Sequence, residues 1–140
     1  MTVFVDTSAL YAVFDRDDAN HEAAGQSWNT LLATDARLIT HNYVVLELTA
    51  LLQHRLGMEA VRDLVVEILP VCTVQWVSEA IHAQALHYML ATGRRLLSLT
   101  DCVSFEMMRR NGCDSAFAFD PHFDNAHTFA KNLLASPPVM

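Results

Sequence analysis

The first strand constrains this chain more than any other feature. Thr2 to Val5 (TVFV) is a short run rich in β-branched side chains, with no polar alternation. Such a run belongs inside a sheet that is covered on both faces. It ends on Asp6, and Thr7 and Ser8 lead directly into the helical pattern of Ala9, Leu10 and Tyr11. A carboxylate at that position can cap the following helix. It also stands at the carboxyl edge of the strands, where open α/β sheets bind their ligands.

The rest of the chain alternates in the same way. Helices are expected over Ser8 to Phe14 and His21 to Leu32, then a brief strand from Arg37 to Thr40. Asn42 is expected to cap a strongly periodic helix from Tyr43 to Leu56, with Val44, Val45, Leu48, Leu51 and Leu52 on its apolar face and Gly57 as its stop. A further helix, Glu59 to Leu69, would pack Val61, Leu64, Val65 and Ile68, after which Pro70 opens a strand from Val71 to Val74. Ser78 caps a helix from Glu79 to about Ala91, closed by Gly93. Leu96 to Leu99 allows only a turn or strand stub. Thr100 then caps a helix from Asp101 to Arg110, and Ser115 to Phe119 forms the last strand before Asp120-Pro121. His122 to Leu134 is expected to be partly helical, with a frayed Ser-Pro-Pro tail. The expected fold is a single α/β domain over residues 1–140, a three-layer α/β/α sandwich around a mainly parallel sheet of four to five strands.

Composition narrows the class. At 140 residues with 52% apolar content, the chain can bury one full core. Sixteen acids against nine Lys and Arg give a net charge of −7, and Lys131 is the single lysine. That balance argues against a constitutive basic clamp on nucleic acid. It leaves room for a polyanion at a site where bound cations reverse the local field. Three irregularly spaced cysteines, Cys72, Cys102 and Cys113, suggest reduced thiols. The N-terminus carries no basic segment or long apolar stretch, and no apolar run reaches membrane-spanning length. A cytoplasmic protein is expected, without membrane association.

Four carboxylates fall where burial needs a reason. Asp6 and Asp120 follow strands, Asp101 starts a helix among Cys102, Val103 and Phe105, and Glu47 interrupts the apolar helix VVLELTALL. Each has a structural alternative: Asp6 and Asp101 as caps, Glu47 paired to Arg55 or Arg94, Asp120 as a turn acid. One arrangement explains all four, namely convergence on a single cleft above a parallel sheet. An unpaired carboxylate buried beside the Glu47 face would cost several kcal/mol, so a cation is expected there. Oxygen donors without sulfur suit Mg²⁺ or Mn²⁺. Thr7, Ser8 and Thr100 could add a hydroxyl ligand or orient a water. His122 lies nearest the proposed cleft, and the other histidines form no metal-ligand spacing. There is no GxGxxG and no P-loop.

VDTSAL from Val5's strand onward, VLELTALL at 45–52, SLTDCVSFEMMRRNG at 98–112 and AFAFDPHF at 116–123 together resemble a PIN-domain protein. Within that superfamily the chain looks like the VapC-type toxin ribonuclease of a toxin–antitoxin pair, and the resemblance spans residues 2 to about 130. DNAHTF, after Phe123, lacks a glycine often found there in the family. The resemblance places the family's metal-binding and catalytic acids on Asp6, Glu47, Asp101 and Asp120, with a supporting hydroxyl at Thr7 or Ser8. It implies Mg²⁺- or Mn²⁺-dependent RNA cleavage, a homodimer, and an antitoxin whose C-terminal arm blocks the cleft.

With water as nucleophile, the products would carry 5′-phosphate and 3′-hydroxyl ends. Arg94 and Arg95, after one helix, and Arg109 and Arg110, closing another, could reach RNA phosphates. The apolar helices between Tyr43 and Leu69 offer faces for dimer and antitoxin. Setting the four acids aside leaves twelve acids against nine bases, so RNA binding should be weak without divalent ions. Two other readings are a PIN-type nuclease of RNA processing or of DNA, and a catalytically silent interaction subunit. An aspartyl phosphotransferase fits poorly, because Ser8 occupies the place of a second aspartate and Lys131 is remote from every motif.

Overall fold

The computed structural model describes residues 1–123. Among these, four strands form one parallel sheet in the order β3-β2-β1-β4, with β1 Thr2–Val5, β2 Arg37–His41, β3 Thr73–Gln75 and β4 Ser115–Phe117. The registers Val3↔Leu38, Val3↔Ser115 and Ile39↔Thr73 put β1 at the switch point, where strand order turns from one side of the sheet to the other. The helices are α1 Thr7–Phe14, α2 His21–Ala33, α3 Asn42–Arg55, α4 Met58–Asp63, α5 Glu79–Thr92 and α6 Leu99–Asn111.

The two faces of β1 explain the layers. Val3 and Val5 pack with Leu10 of α1, Trp28 and Leu31 of α2, and Leu48 and Leu52 of α3. Phe4 points the other way, toward Val44, Met108 of α6, Ala116 and Phe123. α5 reaches the sheet only through α6, in a cluster of Ala85, Leu97, Cys102, Val103 and Met107. Successive side chains of a strand alternate between faces, so an unbroken apolar strand needs cover on both. The three layers follow directly from that requirement. All three cysteines are free thiols. Among the described residues no helix is long and apolar enough to cross a membrane.

Several local expectations are corrected. α3 is capped by His41, whose Nδ1 accepts from Val44 N–H at 3.3 Å, and not by Asn42, whose Oδ1 instead accepts from Val77 N–H at 2.6 Å. The segment read as one helix from Glu59 to Leu69 is α4, then a π-turn at Leu64–Ile68 and a 3-10 turn at Leu69–Val71 that contains Pro70. The wider π-turn keeps Leu64 and Ile68 buried but turns Val65 outward. The strand after it is therefore Thr73–Gln75, later than expected. α6 starts at Leu99, with Ser98 as its cap, so Thr100 lies inside the helix and Leu96–Leu99 is no strand. β4 ends at Phe117, two residues short of Phe119. Gly93 and Gly112 end α5 and α6 in the left-handed region, at φ 61° and 59°. The expected C-terminal helix and tail beyond residue 123, and the DNAHTF segment, lie outside the described residues.

Candidate metal centre

Asp6 both caps α1 and lines the cleft at the carboxyl ends of the strands. Val5 pairs with Phe117 at the sheet's edge, and Asp6 N–H continues the ladder to Phe117 O at 3.1 Å. Its Oδ2 accepts from Ser8 N–H (3.1 Å) and from the Ser8 hydroxyl (2.7 Å). Ser8 Oγ in turn accepts from Phe119 N–H at 3.0 Å and Asp120 N–H at 3.3 Å. One serine thus ties the first acid to the backbone that presents the last. Burial pushes the Asp6 carboxyl up to about 7 against the opposing Ser8 hydrogen bonds, and the charges of Asp101 and Asp120 push the same way.

Asp101 enters through a capping box at the start of α6. Ser98 Oγ accepts from Asp101 N–H at 3.0 Å, and Asp101 Oδ2 accepts from Ser98 N–H at 3.2 Å. Its carboxyl is raised by burial and by Asp120, and the Ser98 bonds and His122 oppose the shift. Asp120 Oδ1 accepts from His122 N–H at 2.9 Å. The His122 ring stands between the two acids, with Nδ1 2.9 Å from Asp120 Oδ1 and 3.5 Å from Asp101 Oδ2. These are close approaches without hydrogen-bond alignment, which leaves the buried Nδ1 unpartnered. One ligand atom from each of Asp101, Asp120 and His122 lies within 4.8 Å of the others.

A cleft of about 470 Å³ opens over this group at the carboxyl ends of β1 and β4. Asp6, Thr7, Ser8, Glu47, Asp101 and Asp120 line it together, so the four acids singled out in the sequence share one cavity. Glu47 differs from expectation in one respect. It is exposed, because Val44, Leu48 and Leu52 take the buried face of α3, and its carboxylate meets the open cleft without a desolvation cost that would demand a cation.

The buried donors themselves fit a hard divalent cation. The charges of Asp101 and Asp120 raise the Asp6 carboxyl, and that of Asp120 raises Asp101, a charge conflict that a cation would relieve. Thr7 Oγ1 is buried in the cleft wall with no hydrogen-bond partner among the described residues. The histidine nitrogen admits Mn²⁺ beside Mg²⁺.

Other expected residues are not brought to the cleft. Thr100 is not among its lining residues; its carbonyl accepts from Ser104 Oγ at 2.9 Å. Arg94 and Arg95 are exposed in the turn between α5 and α6. Arg109 and Arg110 sit in the last turn of α6, the end opposite Asp101, and both bond Glu106, at 2.6 and 2.8 Å.

Sequence reasoning missed two supports. His41 is fully buried, and burial holds its ring neutral, with a pKa down at about 4. Since Nδ1 accepts from Val44, Nε2 carries the hydrogen and donates to Ser104 Oγ at 2.9 Å. This histidine joins the start of α3, which carries Glu47, to α6, which carries Asp101. The outer cleft wall adds Tyr11, Asp18, Asn20, Leu51 and Arg55. The spacing of Glu47, Leu51 and Arg55 at i, i+4 and i+8 was the available signal for that wall.

Comparison with known proteins agrees with the geometry. The PIN domain family model matches residues 3–127. The 23S rRNA-specific endonuclease VapC20 of Mycobacterium tuberculosis, from strains CDC 1551 / Oshkosh and ATCC 25618 / H37Rv, is 32% identical over 125 residues, covering 89% of this chain and 93% of the relative. The crystal structure of M. tuberculosis VapC20, described as a sarcin–ricin loop cleaving toxin, superposes with a TM-score of 0.78 at 31% identity, covering 89% of this chain and 94% of that one.

Proposed function

Because the chain belongs to the PIN-domain family, among its VapC-type ribonuclease toxins, we propose that it hydrolyses RNA at the four-acid cleft. The observation that carries this reading is the convergence of Asp6, Glu47, Asp101 and Asp120 on one cavity at the sheet's switch point. A silent interaction subunit would have no use for that costly gathering of like charge.

In this reading the four acids, with Thr7, Ser8 and His122 in support, hold Mg²⁺ or Mn²⁺. A bound divalent ion would supply positive charge opposite the phosphoryl oxygens and would acidify the attacking water. The chain's own residues do the positioning. Ser8 holds Asp6 and the Phe119-Asp120 backbone in one frame. The capping box fixes Asp101 to the first turn of α6, and His41 sets α3 against α6. His122 holds Asp120 through its backbone N–H, and its ring stands between Asp120 and Asp101. External water as nucleophile leaves 5′-phosphate and 3′-hydroxyl ends.

The relative named as 23S rRNA-specific makes ribosomal RNA, and its sarcin–ricin loop, the first substrate to test. The partners are an antitoxin and a second copy of the chain. Between Tyr43 and Leu69 the exposed apolar side chains of Leu46, Met58, Val65 and Val66 supply surface for them. The protein would act in the cytoplasm, where its RNA is found.

The test is to sequence RNA 5′ ends after brief induction, with Asp6→Asn as control, and to incubate purified 23S rRNA with antitoxin-free protein in Mg²⁺, Mn²⁺ or EDTA. A sharp site made only by wild type with metal is the expected result. Identical ends from wild type and D6N would refute the nuclease reading.

A further inference from the structure

Among the described residues the cleft is lined by five acids, Asp6, Asp18, Glu47, Asp101 and Asp120, and one cation, Arg55. Arg55 is the last residue of α3, two helical steps of four beyond Glu47 on the wall that Leu51 also forms. Eight residues of α-helix separate the two by about 12 Å along the axis. The guanidinium carbon lies 5.4 Å from the centroid of the Tyr11 ring, which steadies the side chain. Asp15, whose carboxyl is held down by the Tyr11 hydrogen bond first and by the Arg55 charge to a lesser degree, spends its hydrogen bonds elsewhere, accepting from the Tyr11 hydroxyl at 2.7 Å and from Asp17 N–H at 2.9 Å. Among the described residues Arg55 forms no ion pair, in contrast to Arg109 and Arg110. A planar donor fork supported on an aromatic face, exposed, in the field of Asp15 but in no direct ion pair among the described residues, matches a phosphate.

We propose that Arg55 is a substrate-binding residue that receives a flanking phosphate of the RNA at the outer end of the cleft, while the reacting phosphate lies at the acids. The distance sets the division of labour. With its backbone about 12 Å along the helix from Glu47, this side chain is assigned to orienting the strand beyond the reacting phosphate. It also answers how an acidic protein holds a polyanion: a cation is placed in the cleft wall along the strand's path, away from the four converging acids. The inference rests on the nuclease reading.

The experiment compares wild type, Arg55→Gln and Arg55→Lys. Steady-state cleavage of a sarcin–ricin stem-loop RNA is measured in Mg²⁺. Binding of the same labelled RNA is measured by anisotropy in an Asp6→Asn background across NaCl concentrations. A lost charged hydrogen bond predicts a KM and a Kd raised about tenfold in R55Q with kcat nearly unchanged. The slope of log Kd against log[NaCl] should fall by about 0.7, the loss of one single-strand phosphate contact. R55K should keep the wild-type salt slope, a result that a merely structural role would not produce. Active wild type with R55Q unchanged in KM, Kd and salt slope overturns the assignment of Arg55 alone. A fall in kcat at unchanged KM overturns it as well. Wild type that cleaves no RNA removes the nuclease reading and this inference together.

Discussion

Asp6→Asn should make the metal-free protein more stable, and by an amount that depends on pH. The Asp6 carboxyl titrates near 3.8 in an unfolded chain and at about 7 in the fold. The folded state therefore holds a proton that the unfolded state has released, and folding is penalised as pH rises between those values. The penalty is absent well below pH 4 and complete above pH 7. At 1.36 kcal/mol per unit it reaches about 4 kcal/mol at pH 8 and about 1 kcal/mol at pH 4.5. Asparagine retains an oxygen to accept from Ser8 N–H and the Ser8 hydroxyl, so the helix cap survives. Urea unfolding of wild type and D6N in EDTA, followed by circular dichroism at both pH values, measures the difference. D6N should be stabilised strongly at pH 8, by roughly 10 °C or more in melting temperature, and only slightly at pH 4.5. A D6N protein less stable than wild type at pH 8, or a difference that does not change with pH, would refute the reasoning.

Adding Mg²⁺ or Mn²⁺ should raise the melting temperature of wild type by mass action and leave D6N nearly unmoved; equal shifts in both would show that the ion binds elsewhere. Glu47→Gln, Asp101→Asn and Asp120→Asn should each lose cleavage while melting cooperatively, and a variant that cleaves normally removes that acid from the site. His41 has the opposite pH sign to Asp6: its pKa falls from 6.5 to about 4 on folding, so stability drops by about 3 kcal/mol as pH falls from 7 to 4.5. His41→Asn keeps a capping oxygen but has no titrating ring, so its stability should lack that acid-side loss in urea titrations. Ser8→Ala should lower metal affinity and stability together, by about 1–2 kcal/mol in the latter, as read by calorimetry and urea melts.

The parts of the fold that local chemistry decides could be read from the residues. Val3, Phe4 and Val5 have no polar face, so a sheet covered on both sides was the available solution. Asp6 was legible because it ends a strand, and Asp120 because it follows the last strand within a few residues. The failures came from choices among neighbours. Ser98 and Thr100 are both good caps, and the reciprocal bond with Asp101 selects the serine. His41 outcompetes Asn42 because the ring, buried under Phe4 and Tyr43, has only the helix start and Ser104 to bond. Glu47 was placed on the right cleft for the wrong reason: helical position alone did not reveal that its carboxylate stays in solvent. The arginines could not be ranked at all without the fold. Arg109 and Arg110 spend their charge on Glu106, whereas Arg55 entered only as a counterion for Glu47 and stands in the cleft wall.

The order of strands also has a consequence for when the site can exist. Asp6 is made first, yet its strand is completed by β4, and the Ser8–Asp120 hydrogen bond closes a separation of 112 residues. Until the ribosome has released that last segment, β1 has only one neighbour and Asp6 does not face Asp120. Contacts so distant in sequence form late and slowly. A growing or truncated chain therefore carries the first acid of the cluster without the cluster, and the cell has the whole span of translation before a complete site appears.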